Sequence, residues 1–195
     1  MARIEGAKSG NWLVKLAYYV TKKRTGKVLM PVQIMAHHPT LLGSFGFMER
    51  AFRKSKSVEQ RIKDLVQLRT ASLIGCSFCI DASAWVGKDS GLTDDQIVHV
   101  NQYETHAAYS ELDRLCLTFA DCLTATPSHV PDELFAALEK HFNRAQLVEL
   151  TSAIAWENYR ARFNHAFGAH SEGLSAVCPL AAPAAPKAIA EAPTA

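Results

Sequence analysis

The sequence predicts an all-α protein of about eight helices packed as a single domain. Apolar residues recur at three- and four-residue intervals in successive segments, and no segment alternates apolar and polar residues as a half-buried β-strand does. No proline occurs between Leu41 and Thr126, as long packed helices require. With 195 residues, 48% of them hydrophobic, the chain is long enough to bury one sizeable core.

Helical spacing and helix-ending residues place the helices of the N-terminal part. A first helix is predicted over residues 11–24, and Gly26 ends it because glycine readily adopts the left-handed backbone of helix C-termini. Pro31 fits the first turn of a short second helix, since its missing N–H has no partner there. Pro39 then ends that helix and begins a third.

The later helices are predicted from the residues at their starts. Capping boxes at 57–60 and 93–96 would each satisfy two free N–H groups of a first helical turn. Ser110 and Asn143 open two further helices, and Pro131 begins the one between them. Gly75 interrupts the helix that follows the first capping box, so the chain is predicted to turn back there as an antiparallel helical hairpin.

Net charge and hydropathy exclude several classes of partner. A formal charge of +2 gives no reason to expect binding to nucleic acid. No apolar run is long enough for a bilayer span, and residues 1–12 lack the apolar core of a signal peptide. We therefore expect no membrane partner and a cytoplasmic location, where a close pair of cysteines is more often catalytic or metal-binding than structural.

The chain divides into three parts by composition. Residues 1–29 are predicted to hold an N-terminal helix and a connector, residues 30–175 the main helical domain, and residues 176–195 a disordered tail. The tail is rich in alanine and proline and shows no apolar periodicity. It therefore has too little apolar surface to offset the entropy that ordering would cost.

Cys76 and Cys79 form a Cys-x-x-Cys pair directly after Gly75. Two thiols three positions apart can close a small disulfide ring and reopen it, and the N-terminus of a helix stabilises a thiolate. A helix terminus favours the earlier thiol, Cys76, which we expect to be the more exposed of the two. The sequence thus predicts a redox-capable pair at the mouth of the hairpin.

The remaining cysteines do not complete a metal site. Cys116 and Cys122 lie in an apolar helical pattern and are interpreted as small buried side chains. Cys178 lies just before the alanine- and proline-rich residues 181–195, where it could be exposed. Zinc would need two further ligands at a characteristic spacing, and none follows the close pair. We therefore expect neither a metal ion nor another cofactor.

Asp64 and Ser83 are candidates for moving protons to and from the thiols. At about 1.5 Å per residue, Asp64 lies roughly 13 Å before the turn and Ser83 about 10 Å beyond it, so the two residues are level in the hairpin. A carboxylate, a hydroxyl and a thiol in file can relay a proton. In the alternative interpretation, Asp64 is a solvated helix residue and Ser83 is a small packing residue.

Histidines and one mixed segment are further candidates. His37, His38 and His165 are candidates for the wall of a pocket around the thiols, although a single helical histidine is more often structural. Residues 156–162 mix aromatic and charged side chains and are interpreted as an interface or a packed amphipathic face. Because many aromatic residues lie outside any single core face, we expect a homo-oligomer.

The residues around the cysteine pair resemble a known family motif. The segment reads Asp64-Leu-Val-x-Leu-Arg69-x-x-Ser72-x-x-Gly75-Cys76-x-Phe78-Cys79-Ile80-Asp81. It is similar to the core of the carboxymuconolactone decarboxylase superfamily, in particular its alkylhydroperoxidase AhpD-like branch. The phrases Ala36-His37-His38-Pro39 and Arg162-Phe163-Asn164 also recur in such proteins, so the resemblance covers about residues 30–170.

This resemblance implies an AhpD-like helical fold, symmetric dimers, trimers or hexamers, and thiol-based reduction of peroxides. It also implies that Cys79 attacks the substrate and that Cys76 then forms a disulfide with it, with Asp64 and Ser83 as the proton relay. Asp64 stands where the family has Glu, and Ser83 stands where it has His. Serine can pass on a proton but cannot carry a charge near neutral pH as imidazole does.

The sequence therefore predicts a thiol-dependent alkyl hydroperoxidase of peroxiredoxin-type activity, or a related dithiol oxidoreductase. Its partners would be a hydroperoxide or another small molecule, and an external dithiol that regenerates the thiols. Two alternatives stay open. One is a redox-sensing or binding module without turnover, and the other is a non-redox decarboxylase-type enzyme acting on a lactone or another small acid.

Overall fold

The computed structural model describes residues 2–8 and 10–177, and within these residues the chain forms nine α-helices, one short 3-10 helix and no strand. The helices are α1 (Trp12–Thr25), α2 (Met30–Met35), α3 (Pro39–Lys54), α4 (Gln60–Ile74), α5 (Ser77–Asp89), α6 (Asp94–Val98), α7 (Glu111–Thr124), α8 (Asp132–Glu139) and α9 (Arg144–Ala166). The 3-10 helix Val100–Gln102 follows α6. The predicted all-α, single-domain architecture is confirmed.

Helix α4 lies at the centre of the fold and packs against α5, α7 and α9. Leu65, Val66, Leu68 and Ala71 on this helix are fully buried. Val66 belongs to an apolar cluster shared with α7, α8 and α9, whereas the other three belong to a second cluster shared with α5 and α6. Because apolar contacts hold it on several sides, α4 is a rigid support for the residues it presents.

The predicted helical hairpin is formed by α4 and α5, which Gly75 and Cys76 connect. Gly75 has a φ of 77°, in the left-handed region that favours glycine, and its N–H donates to the carbonyl of Ala71. This turn leaves Cys76 as the N-cap residue of α5. The cysteine pair therefore lies at the closed end of the hairpin, as predicted.

The predicted helix starts are confirmed at three positions and wrong at one. Thr93, Ser110 and Asn143 each form a reciprocal capping box with the residue three positions later. The capping box predicted at 57–60 does not form. Helix α4 begins at Gln60, and its N-cap residue, Glu59, makes no side-chain hydrogen bond to the first turn.

A long-range contact replaces that capping box. Glu149 on α9 accepts hydrogen bonds from the N–H groups of Ser57 and Val58 at 2.8 and 3.1 Å. It also accepts one from Lys63 Nζ at 2.6 Å, and this buried pairing holds the pKa of Glu149 below its usual range even though burial opposes the shift. In the predicted capping box, the Ser57 N–H would donate to the side-chain amide oxygen of Gln60. A carboxylate is a stronger acceptor than an amide oxygen, so this N–H donates to Glu149 instead.

Several expectations concern parts that the described residues do not test. The predicted tail beyond residue 177, together with Cys178, lies outside them, and the boundaries predicted after residues 29 and 175 stay predictions. In the part of the chain that the structure describes, no helix has both the length and the apolar character that crossing a bilayer demands.

Candidate active site

Cys76 and Cys79 are joined by a disulfide, with their Cα atoms 5.2 Å apart. As the N-cap residue of α5, Cys76 turns its Sγ back over the first helical turn, where it accepts the N–H of Cys79 at 3.3 Å. Both cysteines are buried, and Cys76 is 1% exposed against 4% for Cys79. The expectation that Cys76 is the more exposed thiol is therefore wrong, because capping turns its side chain inward.

Cys79 lines a cavity of about 670 Å³ between α1, α3, α4, α5 and α9, whereas Cys76 does not. The wall is mostly apolar. Its aromatic members are Phe45, Phe47, Phe52, Phe78, Trp85 and Trp156. Such a volume and lining are typical of sites that bind small organic molecules.

Asn164 on α9 supplies a polar partner for the sulfur of Cys79. Its side-chain amide is buried and donates from Nδ2 to Cys79 Sγ at 3.2 Å. An N–H donor aimed at a sulfur favours the thiolate over the thiol. Sequence reasoning assigned no role to this residue, although the Arg162-Phe163-Asn164 phrase that carried part of the resemblance contains it.

Asp64 and Ser83 both line the same cavity as Cys79. Asp64 is only 3% exposed, so the alternative interpretation of a solvated helix residue is wrong. Its Oδ1 accepts a hydrogen bond from Gln60 Nε2 at 2.8 Å. Burial raises the pKa of Asp64, against the opposing effect of the Ser90 and Gln60 side chains. The fold thus brings three of the four predicted site residues, Cys79, Asp64 and Ser83, to one cavity, where they are not joined by direct hydrogen bonds.

A second charged group in the cavity was not predicted. Glu157 and Arg160 on α9 line the wall together with Glu49 on α3. Arg160 donates from Nη2 to Glu157 Oε2 and from Nη1 to Glu49 Oε1, the latter at 2.9 Å. Trp156 Nε1 donates to the same Glu49 oxygen at 2.7 Å. The guanidinium of Arg160 therefore donates hydrogen bonds to two carboxyl groups.

The two carboxyl groups differ in acidity because their surroundings differ. Complete burial raises the pKa of Glu157 to about 7, although the neighbouring Arg160 lowers it. The pKa of Glu49 lies below its usual range because Arg160 and Trp156 outweigh the effect of its burial. Divergent pKa values in one cavity are typical of acid and base groups in enzymes.

The sequence predicts an interface or a packed amphipathic face for residues 156–162, and Trp156 and Arg160 do pack against Glu49 on α3. That prediction did not include the wall of a cavity. Glu157, Arg160 and Asn164 follow one another at helical spacing and face the cavity. That spacing was the available signal. It did not distinguish a cavity wall from an outer surface, since the distinction depends on which helices pack opposite.

The predicted histidine wall is also wrong. Among the described residues that line the cavity there is no histidine. His37 Nε2 lies 2.8 Å from the carbonyl oxygen of Glu5, and His38 Nδ1 accepts the N–H of Leu41 at the start of α3. His165 is exposed on the outer side of α9. None of the three takes the place of the imidazole that the family motif has at residue 83.

Asp81 fixes the segment after α9 against the hairpin. Its buried carboxylate accepts hydrogen bonds at 2.8–3.0 Å from the hydroxyl of Ser171 and from the N–H groups of Glu172, Leu174 and Ser175. These bonds hold the pKa of Asp81 below its usual range even though burial opposes the shift. Leu174 is part of the cavity wall, so the hydrogen bonds of Asp81 to this segment hold Leu174 in place there.

Comparison with known proteins agrees with this geometry. The model of the carboxymuconolactone decarboxylase family matches residues 42–111, which include α4, α5 and the cysteine pair. The uncharacterized protein YnjA of Escherichia coli (strain K12) is 29% identical over 160 residues, which cover 80% of this chain and 86% of that protein.

Solved structures share the helical arrangement. The debrominase Bmp8 superposes with a TM-score of 0.77 at 18% identity, over 88% of this chain and 92% of that chain. A candidate AhpD antioxidant-defence protein from Agrobacterium tumefaciens superposes with a TM-score of 0.66 at 25% identity, over 70% of this chain and 94% of that chain. The matched family segment and the motif around the disulfide make the chain similar to the carboxymuconolactone decarboxylase family, and the superpositions show that it has the AhpD-like helical fold.

Proposed function

We propose that the protein is a dithiol oxidoreductase that reduces an organic hydroperoxide bound in the cavity. One observation carries the proposal. Cys79 is disulfide-bonded to Cys76, and it is the member of the pair that lines the cavity. Position in the first turn of α5 and the amide of Asn164 both favour its thiolate. These features support Cys79 as the attacking residue.

The reaction begins from the reduced pair. The Cys79 thiolate attacks the terminal oxygen of the hydroperoxide, the O–O bond breaks, and the alkoxide leaves and takes up a proton to become an alcohol. Cys79 is then a sulfenic acid. The Cys76 thiol condenses with it, which forms the disulfide and releases water. An external dithiol returns both cysteines to thiols and becomes a disulfide itself.

Proton transfer is assigned to Asp64, with Ser83 as an intermediate carrier. The thiol of Cys79 must lose a proton before attack, and the alkoxide must gain one afterwards. Burial raises the pKa of Asp64, so it holds a proton more readily than an exposed carboxylate does. Asp64 and Ser83 line the cavity that Cys79 also lines, so water or substrate can connect them.

The test is turnover of cumene hydroperoxide with dithiothreitol as the reductant. Cys79→Ser and Cys76→Ser should each abolish turnover, because the first removes the nucleophile and the second prevents disulfide formation. Cys122→Ser is the matched control, since Cys122 is a free cysteine outside the cavity, and it should retain full activity. Full activity in both Cys76→Ser and Cys79→Ser would refute the proposal.

Reductive dehalogenation is a second candidate function. The aromatic lining of the cavity favours an aromatic substrate, and the fold is similar to that of a debrominase. Two thiols supply the two electrons that convert a carbon–halogen bond into a carbon–hydrogen bond, with a disulfide and a hydrogen halide as the other products. Release of bromide from bromophenols by the reduced protein, measured beside peroxide turnover, decides between the two substrates.

The same assays address the alternatives without dithiol turnover. A measurable reduction potential without turnover of either substrate would favour redox sensing. Turnover of lactones by the Cys76→Ser/Cys79→Ser double variant would favour a non-redox decarboxylase-type enzyme, since that chemistry needs no thiol pair.

A further inference from the structure

Two buried carboxyl oxygens in the cavity lack a hydrogen-bond partner. Among the described residues, Asp64 Oδ2 and Glu157 Oε1 are the buried side-chain oxygen or nitrogen atoms that make no hydrogen bond. Asp64 is 3% exposed and Glu157 1% exposed, and both line the cavity. Buried polar atoms are nearly always paired, so two unpaired oxygens on residues that line one cavity indicate a place for a ligand's hydrogen-bond donors.

The two carboxyl groups belong to neighbouring helices. They are presented by α4 and α9, which pack against each other, and the charge of Arg160 acts on both of them. Their other oxygens are already occupied, by Gln60 for Asp64 and by Arg160 for Glu157. The unpaired oxygens are therefore left to accept a donor from a ligand, with the Ser90 side chain also close to Asp64.

The charge around these carboxyl groups is unbalanced. Glu157 and Glu49 share one cation, the partly exposed Arg160, whose charge also acts on Asp64. Lys63 is directed to Glu149 at 2.6 Å. The other charged residues that line the cavity are Arg24 on α1 and Arg50 and Arg53 on α3. The three arginines are exposed, so solvent screens their charges, and the buried carboxyl groups favour a cation.

An aromatic cluster lies beside the carboxyl groups. Trp156 precedes Glu157 in the chain, and its ring centroid is 5.2 Å from that of Phe45 and 6.2 Å from that of Phe52. All three side chains line the cavity. An apolar or aromatic body can contact these rings while its polar end reaches the carboxyl oxygens.

We propose that the cavity binds aryl-alkyl amines, with the ammonium group donating hydrogen bonds to Asp64 Oδ2 and Glu157 Oε1 and the aromatic body contacting Trp156, Phe45 and Phe52. An ammonium has three N–H donors and carries the charge that the site lacks. This binding site goes beyond the thiol chemistry. It shares Asp64 with the proposed proton relay but involves neither cysteine, so amine binding can be measured without turnover.

The test compares three ligands of similar shape by isothermal titration calorimetry on the oxidised protein. The ligands are 2-phenylethylamine, 2-phenylethanol and ethylbenzene. We expect the amine to bind about tenfold more tightly than the alcohol, because a charged donor to a buried carboxylate gains more than a neutral donor. Ethylbenzene, which has no donor, should bind most weakly.

Glu157→Gln should weaken amine binding about tenfold and leave ethylbenzene binding unchanged, since it removes a charge without changing the apolar wall. The matched control is Glu139→Gln on α8, an exposed position outside the cavity, which should bind all three ligands as the wild type does. Equal affinity for the amine and ethylbenzene, or amine binding that Glu157→Gln leaves unchanged, would overturn the proposal.

A pH measurement on the wild type keeps the test independent of the variant's folding. Burial places the pKa of Glu157 at about 7, whereas an aliphatic ammonium stays protonated to about pH 10. Amine affinity should therefore rise between about pH 6 and pH 8, and binding at about pH 6 should release a proton, seen as a heat that depends on the buffer. Binding without proton release and without this pH dependence contradicts the assignment. Because the protein is oxidised throughout, failure of the peroxidase proposal leaves these results unaffected.

Discussion

The side-chain amide of Asn164 donates to the sulfur of Cys79 across 3.2 Å and so links the last helix to the first turn of α5. Removing the amide should lower the fraction of Cys79 present as thiolate at neutral pH, because the donor favours the charged sulfur. Asn164→Ala in the reduced protein should therefore be alkylated by iodoacetamide roughly several-fold more slowly at neutral pH than the wild type. The rate is measured as a function of pH, with the modified cysteine identified by mass spectrometry.

Asn158→Ala is the control for that measurement. Asn158 lies on the same helix, but its amide donates to Thr124 Oγ1 and to the carbonyl of Ile154 rather than to sulfur. Its alkylation profile should match that of the wild type. An unchanged profile in Asn164→Ala would mean that the amide only packs against the sulfur.

Replacing Ser83 by histidine should increase peroxide turnover. Ser83 lines the cavity, so an imidazole has room there, and a positioned histidine contributes to proton transfer by factors of about 10²–10⁴ in enzymes. We expect Ser83→His to raise kcat/KM by about tenfold and to add a dependence on pH near 6.5, where imidazole titrates. Ser83→Asn has a similar size without a titratable group and is the matched control. Equal rates in both variants would exclude a relay at this position.

Local signals explain which parts of the site were predictable. Gly75 and the helical spacing on either side of it fixed the hairpin, and with it the position of Cys76 and Cys79. The capping box wrongly predicted at 57–60 and the unpredicted position of Glu157 in the cavity wall have the same cause. Both depend on α9, whose Glu149 lies 92 residues after Ser57, and a sequence pattern does not reveal which distant helix will pack opposite.

The bonds to Asp81 should contribute measurably to folding stability. Four donors from the segment after α9 converge on this one carboxylate, and hydrogen bonds to charged groups each contribute about 1.5–3 kcal/mol. Asp81→Asn keeps the shape but replaces an acceptor oxygen by a donor. We expect the free energy of unfolding in urea to fall by about 2–4 kcal/mol at neutral pH. No change in that free energy would mean that the segment after α9 adds nothing to stability.

The same carboxylate predicts a pH dependence. Its pKa is lower in the folded protein than in the unfolded chain, so its stabilisation is complete above the unfolded value of about 3.9 and is lost as the pH falls through the folded value. Between about pH 5 and pH 3, the wild type should lose more stability than Asp81→Asn does. Parallel losses in the two proteins would contradict this origin.

The buried pair of Lys63 and Glu149 provides a test of electrostatics in the core. Lys63→Met leaves the Glu149 carboxylate buried without its cation, which costs about 3–5 kcal/mol in comparable pairs. Adding Glu149→Gln removes the unpaired charge but keeps an oxygen for the N–H groups of Ser57 and Val58. The double variant should therefore be more stable in urea than Lys63→Met alone. A double variant that is less stable would show that the penalty is not electrostatic.

The exposed apolar side chains of α1 and α3 predict that the chain associates with itself. These neighbouring helices expose Trp12 by 69%, Tyr19 by 64% and Phe47 by 72%, and Phe47 also lines the cavity. Large contiguous apolar surfaces are typical of protein–protein interfaces. A second copy placed there would shield the cavity from water, which strengthens the interactions of its buried charges.

Sedimentation velocity at micromolar concentration should therefore show a species larger than the monomer. Phe47→Glu places a charge on this surface and should shift the protein to monomer, because an unpaired buried charge opposes association. Phe135→Glu is the matched control, since Phe135 is an exposed aromatic residue on α8, away from α1 and α3. It should leave the distribution unchanged. A wild type that sediments only as monomer would show that the aromatic side chains of α1 and α3 serve the cavity alone.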